Sequence, residues 1–162
     1  MNQVNFYEDK MRILTKSLSA VIIATAALGY TVNAQAEDVV KDFPITPAIG
    51  SATAKQKLGD QVKFYFGDQP HASVEKSFGE IQASTKTNSF WKEDVEACNW
   101  TFLSSLLDMR KQAMSLGANA VINITSSYKG SKVNNSSKTY ACGTGFLMNG
   151  TQFKGEAVKL SN

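Results

Sequence analysis

Between Asp94 and Leu116 apolar residues return every three or four positions: Val95, Cys98, Phe102, Leu106, Met109, Ala113 and Leu116. That spacing draws one apolar stripe along an amphipathic helix, which Leu103, Leu107 and Met114 widen. Glu93, Asp94 and Glu96 put negative charge where the helix dipole favours it, and Arg110 and Lys111 stand towards the other end. Gly117 offers the left-handed residue that stops a helix. Directly afterwards Ala118, Ala120, Ile122 and Ile124 alternate with Asn119, Asn123 and Thr125, Val121 being the only apolar residue on the second face, which reads as a strand with one buried side. The stripe and that side need each other, so the fold is expected to centre on a helix packed against a sheet.

The flanking residues extend this picture. Residues 37–50 hold two of the three prolines and read as an extended leading segment, followed by a short helix at Ala52–Leu58 that Gly59 ends. Val62, Phe64 and Phe66 alternate with Lys63 and Tyr65 as in a strand, broken at Gly67-Asp68-Gln69-Pro70. A weaker strand is expected over Gly79–Lys86. Residues 129–138 are polar and turn-rich, suiting an exposed hairpin tip. The return strand is placed at Thr139–Met148, with Tyr140, Cys142, Phe146 and Met148 on one face, and residues 155–160 add a closing strand. The order β-β-α-β-β predicts an α+β fold, a two-layer sandwich with one long helix on a mainly antiparallel sheet. Residues 37–60 lead into a domain at 61–162, with no internal repeat.

The first 36 residues read as an address. Lys10, Arg12 and Lys16 precede the apolar run Leu18–Val32, and Ala34-Gln35-Ala36 supplies a small-x-small cleavage pattern before Glu37. The run is shorter than the roughly twenty residues a spanning helix needs. Either Met1 or Met11 serves as a start. No cysteine follows the run, so no lipid anchor is expected, and the cleaved chain belongs in the periplasm. Cleavage leaves fourteen Lys plus Arg against twelve Asp plus Glu, a net charge of +2. So mixed a surface has no basic stripe for nucleic acid.

Cys98 and Cys142 are the only cysteines. An even count in an exported chain reads as a disulfide, here stapling the helix's buried stripe to the return strand. CxxC is absent, and one histidine cannot complete a zinc tetrahedron with two sulfurs. No cofactor or metal is expected.

Catalytic patterns are thin. Gly145 to Gly150 has P-loop glycine spacing but Thr151 where the lysine belongs, so ATP is not an expected ligand. Gly143-Thr144-Gly145 suits close backbone packing or an edge bulge in a strand better than a dinucleotide turn. His71 follows Pro70 in a loop, and no serine sits in GxSxG. Glu75, Glu80, Glu93 and Asp94 show no spacing that pairs two carboxylates. Trp91 and Trp100 flank the helix start. Trp91, if exposed, becomes a binding surface, as does the polar tip with Lys129, Lys132, Asn134 and Asn135.

The stretches VEACNWTFLSSLLDMRKQAMSLGANAVINITSSYK and KTYACGTGFLMNG, with VKFYFGD at 62–68, resemble a family of small exported bacterial proteins commonly labelled excinuclease ATPase subunits. The shared marks are Cys98 on a helix, the LGANAVINI helix-to-strand turn and Cys142 on the following strand. The label implies ATP binding, yet no Walker motif is present, and the resemblance brings no activity with it. A more distant likeness is to the Rcs envelope-stress lipoprotein domain, with its helix, ANAV strand and linked cysteines. This chain lacks that protein's lipidated cysteine and carries fewer cysteines, and a shared scaffold does not carry function. The expectation is a non-catalytic periplasmic binding module whose partner is another envelope protein. The alternatives are a stress or redox sensor switched at Cys98–Cys142, and a hydrolase-type enzyme.

Overall fold

The computed structural model describes residues 38–161. The expected leader, with Ala34, Ala36 and Glu37, lies outside the described residues. Those described run β1 (Val39–Pro44), α1 (Ile45–Gly50), α2 (Ala52–Leu58), β2 (Lys63–Phe66), β3 (Val74–Asn88), α3 (Asp94–Leu116), β4 (Ala120–Ser127), β5 (Thr139–Thr144) and β6 (Met148–Leu160). The class is α+β, as the residue pattern implies.

The strand β6 organises the sheet. One edge pairs antiparallel with β3 along its whole length, from Asn88↔Met148 to Val74↔Leu160. The other meets β5 at Gly143↔Gly150 and then β4 from Ser127↔Gln152 to Ala120↔Val158. β1 extends the sheet beyond β5, antiparallel, and β2 lies parallel to β4. The sheet is therefore mixed. The parallel pair follows from topology, because β3 and α3 cross over between β2 and β4.

Helix α3 packs against β3 and β6. Its buried residues include Cys98, Phe102, Leu106, Met109 and Ala113, one side of the periodic stripe. Val95, Met114 and Leu116 are exposed, because the stripe overruns the sheet at both ends. Gly117 closes the helix at φ 80°, its N–H donating back to the carbonyls of Ala113 and Met114. Under α3 four rings interlock: Phe102 lies 4.6 Å from Tyr140, 5.5 Å from Phe153 and 5.8 Å from Phe66, centroid to centroid. The Ser105 hydroxyl is buried there too, but it donates to Thr85 Oγ1 at 2.9 Å and lies 3.3 Å from Thr151 Oγ1.

Six expectations change. Residues 45–50, expected to be extended, form helix α1. The side of β4 expected to be buried is divided, because the register shifts between Ile122 and Thr125: Ile124 joins Val121 in the main core, whereas Ala120 and Ile122 join a separate cluster with Val158 and Leu160. Residues 39–44 form edge strand β1 rather than an unpaired leading segment. The weaker strand is much longer than Gly79–Lys86, running from Val74 to Asn88 because β6 offers it an unbroken edge. Segment 129–138 is no hairpin tip, since β4 and β5 both pair with β6. It folds back instead: Ser126 and Asn134 exchange backbone hydrogen bonds, and Gln69 Nε2 donates to Ser137 O at 3.3 Å. The return strand ends at Thr144, and residues 145–147 turn into β6, of which 155–160 are the last part.

A glycine pair makes β5 and β6 fit. Gly143 and Gly150 face each other on the side away from α3, and the Tyr128 ring lies over both. A Cβ at Gly143 would overlap the ring, and one at Gly150 would stand 2.7 Å from Cε2. Close packing is thus why these glycines are there, as expected for 143–145.

Candidate functional site: an aromatic tip above the disulfide

Two turns meet where β3, β5 and β6 reach one end of the sheet. The first joins β3 to α3 through Ser89–Glu93, and the second joins β5 to β6 through 145–147. They are bolted together: Ser89 N–H donates to Leu147 O at 2.9 Å, and Ser89 Oγ donates to Gly145 O at 2.8 Å. Within the turns, Phe90 N–H donates to Asn88 Oδ1 (2.7 Å), Lys92 N–H to Ser89 O (3.0 Å) and Gly145 N–H to Asn149 Oδ1 (3.0 Å).

Apolar side chains crown this junction. Phe90 sits 4.8 Å from Trp91 and 5.5 Å from Phe146, both edge-to-face. Trp91 is 91% exposed, Phe146 74% and Leu147 61%, with Phe90 and Met148 also exposed. Trp91 holds φ at 65°, a left-handed conformation that costs a bulky L-residue about 1–3 kcal/mol. Its one aromatic neighbour among the described residues is Phe90, itself exposed, so the indole gains little burial to offset that backbone conformation.

Behind the crown lies a rigid anchor. Asn149, fully buried, donates through Nδ2 to Asp94 Oδ1 at 3.3 Å and lies 3.8 Å from the Cys98 sulfur. Cys98 and Cys142 form the disulfide, both sulfurs buried, and it joins α3 to β5 as expected. Lys41 on β1 donates to Asp94 Oδ2 at 2.7 Å. That hydrogen bond, and secondarily the one from Asn149, holds the Asp94 carboxyl below the usual aspartate range. Asp38 is held low in the same way, first by Lys129 and also by the Tyr128 hydroxyl. Burial, then the Asp38 charge, pushes Tyr128 up.

The expected binding residues divide. Trp91 is on the tip. Lys129 is engaged with Asp38, whose carboxylate lies beside Gly145 at the base of the second turn. Lys132, Asn134 and Asn135 come together at an open cleft of about 560 Å³ beside Val40 and Asp42. Asn134 is committed to structure there, donating to Asp42 at 2.8 Å and to Thr139 at 3.2 Å while accepting from Ser136 N–H at 2.8 Å. Trp100 lines a second cleft, of about 260 Å³, where Lys57 Nζ stands 5.1 Å from its ring. Ligand pockets commonly start near 300 Å³, so this one is small.

The catalytic candidates do not converge. His71 Nδ1 lies 2.8 Å from Ala72 O and its ring packs edge-on to Tyr65. Glu75, Glu80 and Asp94 each face a lysine, and Glu93 stands at the N-cap position of α3 without a side-chain capping bond. Register also sets Glu80 opposite Glu156, a pairing that sequence spacing did not reveal. Both line an open cleft with Asn123, Thr125 and Lys154, in which Lys154 holds Glu80 at 3.1 Å and Ser77 donates to Glu156. Among the described residues no three His, Cys, Asp or Glu side chains could hold a metal ion.

Sequence reasoning missed Phe146, Leu147 and Met148 as surface residues, having run them into β5. The available signal was a non-alternating apolar triplet between Gly145 and Gly150. No family model, no curated protein and no solved structure matches the chain.

Proposed function

We propose that this is a non-catalytic binding module of the periplasm and that Phe90, Trp91, Phe146 and their neighbours are its contact surface. The observation that carries the reading is Trp91, almost wholly exposed in a strained backbone conformation above a rigid anchor. Strain of this kind collects where a residue serves something outside its own fold. The tip's five clustered apolar residues also exceed the scattered exposure ordinary for a surface. Export is supported by the disulfide and by the leader read from the sequence; among the described residues no helix is long and apolar enough to cross a membrane. It also fits the resemblance to small exported proteins. The two-layer arrangement is supported by α3 lying on β3 and β6, with β2–β4 as a parallel exception.

Burial of both sulfurs favours a structural staple over a redox switch. The test is photo-crosslinking in cells, with a photoreactive aromatic at Trp91 or Phe146 and, as control, at exposed Val133 on the 129–138 segment. Adducts at 91 and 146 above the control are expected. Equal labelling at all three positions removes the tip from consideration.

A further inference from the structure

We infer that the cleft between the α1–α2 pair and α3 binds a small zwitterion with an apolar side chain, a free amino acid of the leucine type. The site is separate from the tip and stands whether or not the tip is a contact surface.

The helix supplies one wall. Glu96, Asn99, Trp100 and Leu103 recur along α3 at steps of three and four or their sums, so they share a face. It differs from the face that buries Phe102 and Leu106 on the sheet, and Trp100 on it is 54% exposed. Helices α1 and α2 both pack beside α3 and supply the other wall. Buried Ala48 and Leu103 make the floor apolar. Lys57 Nζ, 5.1 Å from the Trp100 ring, braces the indole at the side. At about 260 Å³ the cleft falls just under the range that holds drug-sized ligands, so its occupant is smaller than those.

Three polar groups define that occupant. Lys92 and Glu96 both line the cleft, and neither has an ion-pair partner within 4.0 Å among the described residues. They do not pair with each other because Lys92 precedes the N-cap residue Glu93, outside the helical spacing that would bring them together. The third group is Asn99. The buried Tyr140 hydroxyl donates to its Oδ1 at 3.0 Å and so pins the amide from the core, while Nδ2 has no acceptor among the described residues. The cleft therefore offers a cation and a fixed N–H donor for a carboxylate, and a carboxylate for an ammonium. The ligand's side chain would lie over Ala48 and Leu103 against the indole. A purely apolar ligand would cover both charges without pairing either, and a simple anion or cation would leave one of them unpaired. A longer peptide sets its two termini too far apart for so small a cleft.

The experiment titrates protein purified from an exporting host with L-leucine. Calorimetry reads the affinity, and backbone amide NMR shifts read the place. Saturable binding is expected, with shifts centred on residues 47–53 and 92–103. N-acetyl-leucine lacks the ammonium and leucinamide the carboxylate, and each should bind about tenfold more weakly than leucine. Glu96→Gln should weaken leucine about tenfold and leave N-acetyl-leucine unchanged, whereas Lys92→Gln should weaken leucine and leave leucinamide unchanged. A general effect on folding cannot produce that matched selectivity. Trp100→Ala should weaken all three ligands. The inference is overturned by no saturable binding up to roughly 10 mM leucine, by shifts centred elsewhere, or by equal affinity for leucine and its two blocked forms. Tri-leucine binding as tightly as leucine would overturn it too, since the two charges would then not be read together.

Discussion

Replacing Cys98 and Cys142 together with alanine removes the tie between the second turn of α3 and β5. The sequence separation is 44, for which the chain-entropy treatment gives about 13 cal/mol/K, or about 4 kcal/mol at 25 °C. Both sulfurs are fully buried, so their loss also opens small voids, each adding about 1 kcal/mol. The expected destabilisation is therefore about 4–6 kcal/mol, against a total of about 5–15 kcal/mol for a domain of this size. In urea, with m about 2 kcal/mol/M, the midpoint should fall by about 2 M or more. The slope should rise as well, because an uncrosslinked unfolded chain exposes more surface. Equilibrium unfolding followed by far-ultraviolet circular dichroism reads both quantities. If the double variant does not fold, oxidised wild type is compared with wild type reduced under denaturing conditions and refolded with reductant. A loss below about 1 kcal/mol with unchanged slope would refute the loop-closure reasoning. Thiols that label under mild native reduction would refute the inaccessibility on which the staple reading depends, and would favour a redox role.

Two further outcomes follow from the packing and charge. Gly143→Ala should destabilise by about 1–3 kcal/mol through overlap with the Tyr128 ring, and Tyr128→Ala in the same chain should recover part of the loss, read as coupling in a double-mutant cycle. Acid should weaken the domain through Asp94 and Asp38. Their folded-state values are depressed, so the stability they contribute is present above the ordinary aspartate value of 3.8 and is lost as pH falls through their lower folded values. Asp94→Asn should flatten that dependence in urea midpoints measured across acidic pH; an unchanged slope would remove the Lys41 and Asn149 contacts as its cause.

How far these features were readable depends on whether the deciding contact is local. Helix α3 was legible because its stripe is periodic and Gly117 must be left-handed. The cysteine pair was legible because the sequence holds two cysteines, so each sulfur has one possible partner within the chain. β1 was not: Val39, Val40, Lys41 and Asp42 are all exposed on an edge strand, so no alternation marks them, and only half-buried Phe43 packs inward, against Tyr140 at 6.0 Å. The turn at 145–147 was hidden because Asn149, whose Oδ1 accepts the Gly145 N–H, is held by tertiary contacts with Asp94 and Cys98. Trp91 could be singled out as an aromatic beside a helix start, but nothing in a tryptophan announces a positive φ.

The pairing scheme also has a temporal consequence. Because β3, β4 and β5 all hydrogen-bond to β6, the strand that joins them is synthesised after every strand it joins. A growing chain that has reached α3 holds a fifteen-residue β3 with no edge to zip onto, and that edge appears only with residues 148–160. Such long-range pairing also closes slowly. The nascent polypeptide thus has a built-in delay before it can become globular. This strand order leaves β3 without its partner until synthesis has passed residue 160.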